Sequence, residues 1–183
     1  MLVRGLAVGN PLSQVVRSTP QRAPPPIPFE RPARKPLGKS EYSVFKLRSV
    51  PADPNSQTYE LNVPYFRSGT PEEWLLTKKA IMKVITGQNI TAGPGRFTMA
   101  RRILEGDALA AFNAAATEQT GETVATFVIC LDAVTKHVFP ERSLQEQLRY
   151  MRRYLRKPRE LKIREFQARV SELNGYLKEF PSA

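Results

Sequence analysis

Cysteine and histidine are almost absent from this sequence, which has one of each, Cys130 and His137, in 183 residues. One cysteine cannot close a disulfide within the chain, and two potential ligands are too few for a zinc site built from four cysteine or histidine side chains. Long apolar runs are missing as well, because no stretch approaches the ~20 apolar residues that a membrane-spanning helix needs. These absences predict a protein of a reducing compartment, the cytoplasm, with no membrane span and no bound metal.

The residues of a catalytic site are also scarce. Most schemes that use histidine would depend on His137, which lies at the end of a predicted helix, where a basic side chain complements the helix dipole. Cys130 stands in an apolar run and is expected to be a small core residue. The glycine motifs that cradle phosphates are missing, and the Gly-Pro-Gly at 93–95 is expected to be a turn. We therefore expect no enzyme, no cofactor and no small-molecule substrate.

Acidic residues are outnumbered, since 28 lysines and arginines stand against 17 acids and give a formal net charge of +11. This balance favours an anionic partner, either nucleic acid or an acidic membrane surface. Residues 1–48 contain nine of these cations and two acids, and eight of the sixteen prolines lie between Pro11 and Pro36. A proline-dense segment without apolar periodicity is not expected to pack a core. We expect residues 1–40 to form a disordered basic tail, which is either a contact arm for the anionic partner or a solvated linker.

Residues 41–68 have the alternating pattern of half-buried strands. Phe45 and Leu47 alternate with basic residues, and Tyr59, Leu61 and Val63 alternate with polar ones. Turn-forming residues are concentrated at 51–56, between the two alternating runs. The pattern predicts a β-hairpin that leads into a helical domain at 69–181.

Helical spacing begins at Thr70, which forms a capping-box pattern with Glu73. We expect five helices, at 70–86, 94–116 and 122–137, then one that contains Leu144 to Leu155, and a last one at 159–178. The second contains Gly106, whose cost of about 1 kcal/mol would be explained by a close contact between helices. Acids such as Glu72 are expected at helix starts and exposed faces. The fold is predicted to be an all-α, five-helix bundle behind the hairpin, with a core made of Trp74, Leu104, Phe112, Phe127, Leu131, Phe166 and Leu173.

A second basic region covers residues 142–164, where nine cations and two acids give a net charge of +7. On one continuous helix its arginines would share a face, with Tyr150 and Tyr154 beside them. Arginine contacts to phosphates, combined with tyrosine stacking on bases, are typical of single-stranded nucleic-acid binding. The alternative is the solvated face of an ordinary basic helix. The candidate nucleic-acid-binding residues are Arg149, Arg152, Arg153, Arg156, Lys157 and Arg159.

Four blocks of the sequence, taken in order, carry a resemblance to a known family. Residues 64–75 join an apolar segment and a glycine to a tryptophan-containing helix, and residues 100–108 contain the order leucine, acid, glycine, alanine. Residues 127–140 overlap a predicted helix, with Phe127 at one end and Phe139 near the other. In residues 161–174, Phe166 and Leu173 lie seven positions apart. Together, residues 59–181 resemble the capsid region of LTR retrotransposon Gag-like proteins. The resemblance implies a capsid-like helical bundle that self-associates into homo-oligomers or particles, packages single-stranded RNA and has no active site.

The sequence departs from this family in two motifs. It lacks the Cys-Cys-His-Cys zinc knuckle with which many Gag proteins bind RNA, and it lacks an Asp-Ser/Thr-Gly protease motif. Either RNA binding falls to the two basic regions, or the sequence is a fragment of a longer polyprotein, which we favour. The alternative from another functional class is a monomeric, basic, helical nucleic-acid-binding regulator.

Overall fold

The structure is a computed structural model that describes residues 24–33 and 38–181. Within these residues a two-stranded hairpin precedes six α-helices, so the predicted order of elements is confirmed and the predicted number of helices, five, is wrong. The elements are β1 Tyr42–Arg48, β2 Thr58–Pro64, α1 Pro71–Gly87, α2 Gly93–Ile103, α3 Gly106–Thr117, α4 Val124–Val138, α5 Ser143–Arg153, α6 Ile163–Tyr176 and a 3-10 turn at Leu177–Glu179.

The hairpin is antiparallel, and it packs on α1 and α2. Phe45 pairs with Leu61, and Leu47 pairs with Tyr59. Phe45, Leu47 and Val63 are buried, while Leu61 is half-buried and Tyr59 is exposed. The inward face of the hairpin therefore extends the helical core instead of forming a separate one.

The start of α1 is confirmed in detail. Thr70 Oγ1 accepts a hydrogen bond from the backbone N–H of Glu73 at 3.3 Å, and Glu73 Oε2 accepts one from the N–H of Thr70 at 2.7 Å. This reciprocal pair satisfies two donors that the helix cannot satisfy itself. One turn later, Trp74 Nε1 donates to Thr135 Oγ1 at 2.9 Å, and both residues are buried. This bond ties α1 to α4.

The predicted helix at 94–116 is wrong, because it is broken into α2 and α3. The chain becomes extended at Leu104, and Gly106 has a φ of +52°, in the left-handed region that favours glycine. Phe66 fills the break: its N–H donates to Ile103 O and its carbonyl accepts from Glu105 N–H, both at 2.9 Å. Gly106 is therefore required by a backbone turn, and a close contact between helices is not the reason for it.

The centre of the core joins α2, α3 and α4. The rings of Phe97, Phe112 and Phe127 pack together with centroids 5.4 to 6.1 Å apart. Cys130 is buried beside them, as predicted, and burial raises the pKa of its thiol. All the predicted core residues are buried except Phe166, which is half-buried. Val124, at the start of α4, is exposed.

Part of the expected tail belongs to the core. Residues 1–23 and 34–37 lie outside the described residues, but residues 26–31 contact the helices, and Ile27 is 0% exposed. The expectation of disorder is therefore wrong for residues 26–31. We call residues 26–31, which make the contacts described below, the strap.

Candidate nucleic-acid interface

α5 has an apolar side and a cationic side. Arg149, Arg152 and Arg153 lie on the outer side, where all three are exposed. The last two stand in the final turn of the helix, where they also complement the negative end of its dipole. The inner side packs against the domain through residues that are buried or half-buried, namely Leu144, Gln147, Leu148 and Met151.

The other three candidate residues, Arg156, Lys157 and Arg159, are exposed in the loop between α5 and α6. Because α5 ends at Arg153, the prediction that Arg156 shares its helical face is wrong. Arg156 Nη1 donates to Leu155 O at 3.0 Å. Lys157 Nζ donates to three carbonyl oxygens further along the loop, at 2.9, 3.4 and 2.8 Å, so this ammonium group stabilises the turn as well as carrying charge.

The two tyrosines of this region have different surroundings. Tyr150 is half-buried, and its hydroxyl accepts a hydrogen bond from the backbone N–H of Phe29 at 3.2 Å. It is therefore directed into the domain and does not stand beside the arginines for base stacking. Tyr154, at the end of α5, is 48% exposed and remains at the surface.

None of the six candidate cations forms an ion pair with a residue that the structure describes. Their charges are thus not neutralised locally, and they extend from the outer side of α5 along the following loop. Such a surface can bind successive phosphates of a nucleic acid, with an affinity that falls as salt concentration rises.

The sequence-based prediction missed a buried ionic network that joins α1, α6 and the strap. Arg169, on α6, is 4% exposed, and Glu72, in the first turn of α1, is 2% exposed. The two form a bidentate pair, with Arg169 Nη1 and Nη2 at 2.5 and 2.8 Å from the two carboxylate oxygens. The expectation that Glu72 occupies an exposed face is therefore wrong.

All five N–H donors of the Arg169 guanidinium have acceptors. Besides Glu72, they reach Glu172 Oε2 at 2.8 Å and the backbone carbonyls of Pro28 and Phe29, both at 2.9 Å. Burial alone would lower the pKa of Arg169, but its hydrogen bonds to Glu72 and Glu172 outweigh burial and raise it. The charge of Arg169 is therefore permanent, and it connects α1, α6 and the strap.

Glu172 forms the outer edge of this network. It accepts hydrogen bonds from Arg169, from Arg31 at 2.5 Å and from the hydroxyl of Tyr176 at 3.1 Å. Burial would raise the pKa of Glu172, but these three donors outweigh burial and lower it to about 2. Burial and the bond to Glu172 raise the pKa of Tyr176 to about 12.

One pattern in the sequence could have revealed the network. Arg169 lies three residues after Phe166 and four before Leu173, so it falls on the apolar stripe of α6. A charged residue on such a stripe needs a buried partner of opposite charge. The identity of that partner, 97 residues away, is not visible in the local pattern.

The described residues contain no group of three or more side chains suited to hold a metal ion. His137 is exposed in the last turn of α4, the position predicted for it. Among the helices of the described chain, none combines the length and the apolar character needed to cross a membrane. Comparisons with family models, with curated proteins and with solved structures give no match.

Proposed function

We propose that this chain is a non-enzymatic, cytoplasmic self-assembly protein that resembles retrotransposon Gag capsid and packages single-stranded RNA through its basic regions. The observation that carries the proposal is the exposed cationic surface of α5 and the following loop, which no described acid neutralises. It belongs to a helical domain with a packed core, which can present that surface repeatedly if copies associate.

RNA binding at this surface is supported by the residue types. Arginine donates in a planar fork that matches a phosphate, and five of the six candidate residues are arginines. Tyr154, at the surface next to them, supplies an aromatic ring of the kind on which bases stack. The binding is expected to depend on charge more than on base sequence.

Self-association is supported by an apolar patch on the outer side of α4. Val124, Val128 and Ile129 are 41%, 49% and 49% exposed, although the opposite side of the same helix fills the core. Exposed apolar side chains that lie close together on one helix of a basic, polar protein are candidates for an interface. Particles assembled from many weak contacts need only small interfaces, each of less than about 1,200 Å².

The proposal is tested by light scattering and negative-stain imaging of the purified chain, with and without single-stranded RNA, at low and high salt. We expect RNA to promote regular oligomers or particles at low salt. A strict monomer that binds RNA with a steep salt dependence would instead support the monomeric regulator.

The RNA-binding surface is tested with a charge-reversal triple variant, Arg149→Glu, Arg152→Glu and Arg153→Glu. Each lost phosphate contact should reduce the slope of log K against log salt by about 0.7, so three lost contacts should reduce it by about 2. The matched control reverses three exposed lysines outside this surface, Lys46, Lys79 and Lys136. An equal loss in both variants would mean that net charge, and not this surface, controls binding.

A further inference from the structure

The strap is held like a bound peptide. From Ile27 to Phe29 it has five backbone groups that can form hydrogen bonds, because Pro28 has no N–H. All five are bonded to side chains of α5 or α6. The Gln147 side-chain amide accepts a hydrogen bond from the N–H of Ile27 and donates one to its carbonyl oxygen, both at 2.9 Å. Tyr150 binds the N–H of Phe29, and Arg169 binds the carbonyls of Pro28 and Phe29.

From Ile27 to Glu30 the side chains alternate between the groove and solvent, and Pro26, the neighbour of Ile27, is buried as well. Ile27 is fully buried, and the ring of Phe29 lies 5.5 Å from that of Phe166. Pro28 and Glu30 are exposed. This alternation, with backbone hydrogen bonds between the anchoring side chains, is how proteins recognise extended peptides. Arg31 adds an ion pair with Glu172 at the end of the groove.

The polar groups of the groove are arranged to match a peptide backbone. Gln147 is 1% exposed, and its amide has both its acceptor and a donor committed to Ile27. Without the strap, this amide and two N–H groups of Arg169 would exchange their protein partners for water. With the strap in place, no buried side-chain nitrogen or oxygen of the described residues lacks a partner.

We propose that the groove formed by α5 and α6 is a peptide-binding site for an apolar–proline–aromatic segment, and that the strap of a second copy of this chain can occupy it. The occupant is specified by the structure, because the chain's own residues 26–31 satisfy every contact of the groove. The inference rests on the proposed self-association. Exchange of a strap between two copies preserves all its contacts, so it links the copies without a new interface.

The test uses the wild-type groove and strap. A protease site is inserted within residues 34–37 of the full chain, and the folded protein is cleaved so that the strap is retained only by its non-covalent contacts. Isotopically labelled and unlabelled cleaved proteins are then mixed and examined by native mass spectrometry. We expect the cleaved straps to redistribute between labelled and unlabelled proteins until about half of the helical domains hold a strap from the other isotopic form.

A fluorescent peptide of residues 24–33 provides the specificity control. It should enter the groove of the cleaved protein, and the same peptide with Ile27→Asp should bind at least tenfold more weakly. A Glu30→Ala peptide should bind within twofold of the original, because Glu30 is exposed. Straps that never exchange would overturn the proposal, and so would a body that unfolds whenever the strap leaves.

This result is separable from the test of the proposed function. RNA-promoted particles without strap exchange would overturn the peptide-site inference alone. Strap exchange in a protein that forms no particles would overturn the capsid-like function and leave the groove assignment intact.

Discussion

Substitution of Arg169 by methionine should be among the most destabilising single changes in this protein. Methionine keeps much of the length of the side chain but leaves the carboxylate of Glu72, 2% exposed, without its bidentate partner. Removing one partner of a buried ion pair typically costs about 3–5 kcal/mol. Since a whole domain is usually stable by about 5–15 kcal/mol, this loss would be a large part of the total.

The assay is urea denaturation followed by the fluorescence of Trp74, the sole tryptophan, which is fully buried. With an m-value of about 2 kcal/mol per molar urea, a loss of about 4 kcal/mol lowers the midpoint by about 2 M. The control is Arg152→Met, which removes the same charge from an exposed position and should change stability by less than about 0.5 kcal/mol.

The double variant Arg169→Met with Glu72→Leu isolates the pair itself. It removes both charges, so it should be less destabilised than Arg169→Met alone, by at least about 1 kcal/mol. If Arg169→Met costs less than about 1 kcal/mol and matches Arg152→Met, the network does not stabilise the fold as described.

Three further predictions concern other parts of the molecule. The stability contributed by Glu172, whose pKa is about 2 in the folded protein against 4.5 ordinarily, should be complete above pH 4.5 and be lost as the pH falls toward 2, so urea midpoints should drop in that window. Gly93→Ala should lower the free energy of unfolding by at least about 3 kcal/mol, because the new Cβ would lie 2.0 Å from the carbonyl oxygen of Glu122. Gly106→Ala should lower it by only about 1–2 kcal/mol, the cost of a left-handed backbone conformation, and thermal unfolding measures both. Ile129→Lys should weaken self-association at least tenfold, or about 1.4 kcal/mol, in sedimentation experiments without lowering thermal stability, since Ile129 is half exposed.

Each of these predictions has an outcome that would contradict it. The acid-dependent loss should become smaller in the Arg169→Met variant, and an unchanged loss would mean that other carboxylates cause it. Equal costs for the two glycine variants would contradict the close approach of α2 to the start of α4. Unaltered association of Ile129→Lys would exclude the α4 patch as an interface, with Lys136→Ala as the exposed control on the same helix.

Local features of the fold could be predicted from sequence, because their causes lie within a few residues. The capping box at Thr70 and Glu73 is complete within four positions, and the hairpin follows from alternation within each strand. The break between α2 and α3 has a distant cause, since the bonds that replace the helical ones come from Phe66. Leu104 and Phe112, on either side of the break, are both buried. The helical spacing of apolar residues therefore continues through the break, and the sequence pattern does not reveal it.

The candidate site was predicted only in part, because charge can be read from the local sequence whereas tertiary packing cannot. The cations at 149–159 are visible as local charge, but the end of α5 at Arg153 and the inward direction of Tyr150 depend on how the helix packs. The strap was not predicted, because the expectation of disorder was based on the average composition of residues 1–40. In that average, the two apolar residues that anchor the strap, Ile27 and Phe29, are outweighed by prolines. Their hydrogen-bond partners on α5 and α6 are 120 to 140 positions away.

The sequence distance between the strap and its groove affects the order of events during synthesis. Arg169 is 140 residues after Phe29, so the strap leaves the ribosome long before its binding site exists. At about 5–20 residues per second, roughly 7–28 s pass before the groove is translated. For nearly all of that interval Phe29 lacks Phe166, the ring that it packs against in the folded protein. On an mRNA with several ribosomes, completed copies and unfinished ones stand side by side, so the groove of a completed copy can meet a strap whose own groove has not yet been translated.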